Sequence, residues 1–250
     1  MSVISKKFIF NHLEKLNIKK NDSLLLYSNL SSFGCSDRNF PKKMLKYIIE
    51  YLGNNGTLFM PAYTFDTPVN FIFDLSAIYK NYSTGILVNE FFKLKKIKRS
   101  FRLIHSHIGI GKKSHLLDNV DDLNSFGKTS DFEIMRKNSF KCVFLGCQPS
   151  QAATYFFQLE QINKINYRSE IYLKKRYFYN KKIIKVNLKY FSKDKLKRYD
   201  LDKSFFDLKK IGAKIYEQNI RFGKSYSITL KHFHTYGNKL FKKDMNFLVR

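Results

Sequence analysis

The sequence has no tryptophan, four prolines and three cysteines, and it sets only 20 acidic residues against 46 lysines and arginines. It also lacks any apolar run near the roughly 20 residues needed to span a bilayer, which argues against a membrane helix. The opening segment, MSVISKKFIFNHLEKL, breaks its apolar residues with Lys, His and Glu. That is the pattern of an amphipathic helix and not of a signal peptide. Cys35, Cys142 and Cys147 form no CxxC pair and no even set, so reduced thiols in a cytoplasmic protein are expected and a disulfide framework is not. Abundant Phe, Tyr, Asn, Ile and Lys without Trp is what an AT-rich genome encodes, and it suggests a bacterial source.

The shortage of acids leaves a formal net charge of +26. A basic surface attracts phosphates. The lysine pairs, however, are scattered along the whole chain, from Lys6-Lys7 to Lys242-Lys243. Solvated lysines without a nucleic-acid partner are therefore the expectation, and a small anionic ligand such as a nucleotide cofactor suits the same charge. With 250 residues, 44% of them hydrophobic, the chain can bury a full core, and one domain over 1–250 is expected.

Along the chain, helix and strand patterns alternate. Apolar spacing predicts a helix over 5–16, SLLLYS (23–28) reads as a buried strand, and a helix opened by Pro41 covers 41–52. GNNG then turns into a second buried strand, TLFMPAY. A helix is expected near 84–94, an irregular segment over RSFRLIHSHIGIGKKS, a strand at KCVFLG (141–146) and a helix over about 151–163. Period-two alternation about a central Asn-Lys in YLKKRYFYNKKIIKVNLKYF predicts a hairpin, and helix-like stretches follow at 203–219 and 225–242. This order implies an α/β fold with parallel strands at the centre of its sheet and a β-rich excursion toward the C-terminus.

Several segments carry chemistry by their order. YSNLSSFG (27–34), GTLFMPAYT (56–64), TGILVNEFF (84–92), RSFRLIHSHIGIGK (99–112), SFGKTSDFEIM (125–135) and TYFFQLEQINKINYR (154–168) occur in sequence and at sensible spacing. Together they resemble the aminoglycoside 3-N-acetyltransferase (antibiotic N-acetyltransferase) family, including its HSSLSSLG-like, RSxHPxHS, FGxxSPxxxL and TxxHxxE segments. The resemblance implies an α/β/α sandwich, acetyl-CoA as co-substrate and acetyl transfer to an amine of an amino sugar, either an aminoglycoside or a cellular amino sugar. A homodimer is compatible with it. On the matching positions, Ser28, Asn29, Ser31 and Ser106 are expected beside the CoA moiety, and Arg99 is expected either to meet one of its phosphates or to order the adjoining loop. Thr154 is expected either to donate to the thioester oxygen or to cap its helix.

The departures are equally specific. Phe157 stands where TxxHxxE has its histidine, Arg102 and Leu103 replace the His-Pro of RSxHP, and Tyr27 replaces a third histidine. On a helix Thr154, Phe157 and Glu160 step round by about 60° each, forming one slanted stripe. Phenylalanine cannot accept a proton. Glu160 is then the expected substitute base, its alternative being a carboxylate that only orients a neighbour. Tyr27 and His107 are weaker candidates. His232 and His234, and His105 and His107, have His-x-His spacing, but no acidic or Cys cluster accompanies them and no metal is expected. Cys147 has no adjacent histidine to activate it. Two further readings compete: a catalytically inactive relative that binds CoA or sugar as a scaffold, and a basic nucleic-acid-binding protein.

Overall fold

A computed structural model describes residues 4–64, 71–75, 84–118, 123–194 and 196–249. Its first helix, α1 (Lys6–Lys15), starts at Ser5, whose side chain accepts a hydrogen bond from the Phe8 amide and so satisfies one of the free N–H groups of the first turn. The apolar run SLLLYS becomes β1 (Ser23–Ser28), and Pro41 sits in the first turn of α2 (Phe40–Leu52). Strand β2 (Thr57–Pro61) pairs with β1 in parallel, setting Leu25 beside Phe59. The segment Lys141–Leu145 (here β6) lies along the other side of β1, also in parallel, with Tyr27 opposite Phe144.

These three strands form the centre of a seven-stranded sheet in the order β4-β5-β2-β1-β6-β10-β9. The outer strands β4 (Lys98–Arg99), β5 (His107–Gly111), β9 (Ile215–Ile220) and β10 (Gly223–Thr229) pair antiparallel, so the sheet is mixed. Alternate residues of each central strand point to opposite faces. Leu24, Leu26, Met60 and Val143 meet α1, α2 and α3 (Ile86–Phe91) on one side. Leu25, Phe59, Cys142 and Phe144 meet α4 (Asp131–Lys137), α6 (Tyr155–Asn163), α7 (Leu201–Lys210) and α8 (Leu230–Lys243) on the other. The result is an α/β/α sandwich.

A second sheet of β3 (Ile72–Phe73), β7 (Arg168–Tyr179) and β8 (Lys182–Lys193) is the β-rich excursion. Its hairpin turns at Asn180 and Lys181, both at positive φ (47° and 61°), the twist a two-residue turn requires. Three expectations change. The segment 99–112 is not irregular throughout, because HIGIG forms β5. The helix expected over 151–163 is broken at Ala153 and Thr154 into α5 (Pro149–Ala152) and α6. The helix-like reading of 203–219 fails at Gly212 (φ 105°), beyond which 215–229 form an antiparallel pair that extends the main sheet. Among the described residues no helix is long and apolar enough to cross a membrane.

Candidate active-site cleft

The carboxyl ends of β1, β2 and β6 point toward one crevice, the place where open α/β sheets bind ligands. The loops after β1 and β6 meet closely there. Gly146 has φ 72°, and a Cβ on it would stand 2.6 Å from the Asn29 carbonyl oxygen, so only glycine fits. The cleft has a volume of about 520 Å³. Its walls come from Tyr27, Ser28, Asn29 and Ser31 at the end of β1, Pro61 and Tyr63 at and beyond the end of β2, Thr84 and Gly85 before α3 and Ile86 at its start, His105, Cys147, Gln151 on α5, Thr154 at the head of α6 and Phe157 on it.

Three hydroxyls gather in this cleft. The Tyr27 and Tyr63 oxygens lie 3.1 Å apart, and the Thr154 hydroxyl lies close enough to influence both. Thr154 makes no side-chain cap to α6; its hydroxyl donates to the Ala152 carbonyl at 3.4 Å, a long bond that leaves it able to turn toward the phenols. Burial raises the pKa of both tyrosines, so they stay neutral and act as donors or acceptors of hydrogen bonds, not as bases. Cys147 is pushed up to about 12 by burial and remains a thiol.

The slanted stripe on α6 divides at the cleft wall. Thr154 and Phe157 face the cleft, whereas Glu160 is fully buried behind Phe157. Its Oε2 lies 2.6 Å from Arg168 Nε, and Tyr199 donates its hydroxyl to Oε1 at 2.8 Å. Arg168 in turn donates to the Phe191 carbonyl and the Tyr199 oxygen, and its guanidinium covers the Phe157 ring at 4.8 Å. Burial raises the pKa of Glu160 while Arg168 and Tyr199 oppose that rise. The expectation that Glu160 takes the substrate's proton is corrected on geometric grounds: both oxygens are engaged, and an aromatic ring separates them from the cleft.

Histidine also divides. His107 is fully buried with Nδ1 2.9 Å from Asp131, which also accepts hydrogen bonds from Ser100 (2.5 Å) and Arg102 (2.9 Å). Burial alone would raise Asp131, but His107, Arg102 and Ser100 outweigh it and hold the carboxyl below its ordinary value. Among the described residues the one imidazole lining the cleft is His105, which entered the sequence reading through its His-x-His spacing with His107. Its Nδ1 lies 2.8 Å from Ser125 Oγ and its ring 4.8 Å from that of Tyr63. Burial, with smaller contributions from the neighbouring His107 and Arg168, lowers it to about 3. It is therefore neutral at neutral pH.

Of the residues expected at the CoA moiety, Ser28, Asn29 and Ser31 line the cleft. The buried Ser28 Oγ has no hydrogen-bond partner among the described residues, and Ser31 donates to the Asn29 side chain at 2.6 Å. Arg99 and Ser106 are not among the residues that line the cleft, so Ser106 is corrected as a CoA contact, while Arg99 keeps its alternative of ordering the adjoining loop. Both are buried away from the cleft: Ser106 donates to the Ala62 carbonyl at 2.6 Å, and Arg99 donates to Ser106 and to the same carbonyl while stacking on Phe73. They fix the chain beyond β2, on which Tyr63 sits. His232 and His234 serve separate neighbours, the Lys214 amide and the Tyr155 hydroxyl. Among the described residues, no three His, Cys, Asp or Glu side chains group as metal ligands.

The neutral imidazoles have a consequence for stability. His12, whose Nε2 lies 2.9 Å from Ser225 Oγ, is lowered by burial and then by Lys15 to about 4. A folded pKa below the ordinary 6.5 means that the unfolded chain binds the proton first. The stability from keeping these rings neutral is thus full above about pH 6.5 and drains as the pH falls toward 4 for His12 and 3 for His105, by about 1.4 kcal/mol per pH unit for each group. Urea unfolding should show a lower midpoint at about pH 4.5 than at 7, and His12→Asn and His105→Asn should each flatten that dependence. A midpoint that does not move with pH would mean both rings carry charge when folded.

Comparison with known proteins gives a consistent picture. The family model for aminoglycoside 3-N-acetyltransferase matches residues 25–236. The structure is similar to that of aminoglycoside acetyltransferase AAC(3)-IVa, a mutant solved in complex with a gentamicin, with TM-score 0.84 and 16% identity over 99% of this chain and 92% of that one. It is similar to AAC(3)-IIb with TM-score 0.84 and 14% identity, covering 98% of each chain. The YokD protein from Bacillus subtilis matches with TM-score 0.81 and 18% identity over 97% of this chain and all of that one. A comparison with curated protein sequences finds no match.

Proposed function

The chain belongs to the aminoglycoside 3-N-acetyltransferase family, and from that premise we propose that it transfers the acetyl group of acetyl-CoA to an amine of an amino-sugar acceptor. The observation that carries this reading is the cluster of Tyr27, Tyr63 and Thr154 hydroxyls in a cleft at the ends of the parallel strands. Neutral hydroxyls gathered in a cleft can stabilise the charge that develops on a thioester oxygen when an amine attacks. Thr154 is the donor we assign to that oxygen. The unpartnered Ser28 hydroxyl, with Asn29 and Ser31, fits the polar groups of the CoA arm. Arg99 and Ser106 contribute by holding the neighbouring loop.

No residue of α6 receives the proton. The acceptor amine therefore reacts as its own free base; its nitrogen bonds to the acetyl carbon as the carbon–sulfur bond breaks, and its proton goes by net transfer to the departing thiolate. General-base help worth about 10²- to 10⁴-fold is given up, whereas holding both reactants in one cleft retains effective molarities of about 10⁵ to 10⁸ M. Free thiol should appear when acetyl-CoA is supplied with an amino sugar, at a rate that follows the acceptor's ionisation. Absence of both thiol release and CoA binding at millimolar concentration would remove the reading. A second reading, a silent relative that binds CoA as a scaffold, is favoured by Phe157 at the histidine position, and it predicts CoA binding without thiol release.

Putting histidine back tests the same point. At position 157 a ring lies under the Arg168 guanidinium, and Glu160 is already engaged by Arg168 and Tyr199. A cation overhead disfavours imidazolium. Phe157→His should consequently fall short of the 10²-fold gain, roughly, that a working base would bring. A larger gain in kcat would show that Glu160 can still orient a base.

A further inference from the structure

The charge of the cleft narrows the acceptor. An aminoglycoside carries several amines, most of them protonated near neutral pH, and a site for it needs carboxylates to replace the water around them. Of this chain's 20 acidic residues all but Asp66, Asp121 and Asp122 are described, and none of the described ones lines the cleft. Two carboxylates do lie behind its walls, but each is neutralised there. Glu160 sits against Arg168 behind Phe157, and Asp131 sits between Arg102 and His107. The lining instead offers hydroxyls, amides and aromatic faces, such as Ser31, Asn29, Gln151 and Phe157. Its one imidazole is neutral.

The whole-molecule field points the same way. A formal charge of +26 repels a polycation at long range and draws in an anion, an effect worth about 10- to 10³-fold in encounter rate at low salt. We infer that the acceptor is an amino sugar with a single reactive amine on a scaffold of no net positive charge, of the class of nucleoside-diphosphate-linked amino sugars, and not a polyamine. This inference rests on the acetyltransferase reading and names the substrate class of the same cleft.

The test compares three acceptors at saturating acetyl-CoA: a nucleoside-diphosphate-linked amino sugar, the same sugar as an uncharged glycoside, and gentamicin. The diphosphate-linked sugar should give the highest kcat/KM, about tenfold or more above gentamicin, and its advantage should shrink as salt is raised from about 20 mM to about 500 mM. Gln151→Glu, which places a carboxylate in the lining with little change of shape, should raise kcat/KM for gentamicin and lower it for the diphosphate-linked sugar. Gentamicin outperforming the other two, with the salt dependence reversed, would overturn the inference while leaving the acetyltransferase reading in place. If no acceptor releases thiol, the acetyltransferase reading falls, and calorimetric titration of the same three compounds into the CoA-loaded protein still reads the preference. Tighter binding of gentamicin, or no binding of any of the three, would then sink the inference.

Discussion

Glu160→Gln should destabilise the protein by about 3–5 kcal/mol, the usual cost of stranding one partner of a buried ion pair. The substitution leaves the Arg168 guanidinium, enclosed by Phe157, Phe191 and Tyr199, without its counter-charge. For a chain of this size that loss lowers the melting temperature by about 10 °C. Because the whole pair sits behind the cleft wall, the double change Glu160→Gln with Arg168→Met should recover most of the stability. The pH profile of whatever activity survives should keep its shape. A stable Glu160→Gln protein that instead loses the acidic limb of its rate profile would restore Glu160 as the proton acceptor and overturn the geometric argument.

Thr154→Val should leave the fold intact and reduce kcat by about 10²- to 10³-fold, the range found when one oxyanion donor is removed. The isosteric change keeps the packing of the first turn of α6, and no helix cap is lost because Thr154 makes none. Tyr63→Phe offers a comparison, since it removes another member of the same cluster without touching α6. A melting temperature that falls by several degrees with unchanged turnover would assign Thr154 a structural role, and the thioester oxygen would need a different donor.

Much of this architecture can be read from the residues. The continuous apolar runs of β1, β2 and β6 are strands because both faces of the central sheet are covered by helices, and Pro41 marks the start of α2. The Asn180-Lys181 turn is legible because alternation on both sides leaves those two residues at the centre. By contrast, β9 and β10 follow a genuine helix, and short, mainly polar stretches such as IYEQNI and GKSYSIT do not separate helix from strand by period alone. They become strands because β6 has a free edge to pair with. The candidate site was legible as a set of segments, since Ser28, Asn29, Ser31 and Thr154 do meet in one cleft. Which of them face the ligand was not. Glu160 is occupied by Arg168 and Tyr199, eight and 39 residues along the chain, and Ser106 is turned away by a carbonyl from β2's far end. Such partners are tertiary facts, set by how β7 and the segment before α7 fold back over α6.

The trio of Tyr27, Tyr63 and Thr154 has a property that backbone amides lack. An amide N–H always donates, whereas each of these hydroxyls can rotate, and either phenol can be the donor in the pair. The cluster has no built-in polarity. A carbonyl oxygen entering the cleft draws one O–H toward itself and re-orders the other two; an N–H group arriving at the same spot turns the order round. The wiring is reversible, and each reversal takes reorientation energy that a rigid pair of amides would not spend. A catalyst built on rotors accepts a wider range of shapes and charges at its reacting centre, and gains less rate for any one of them.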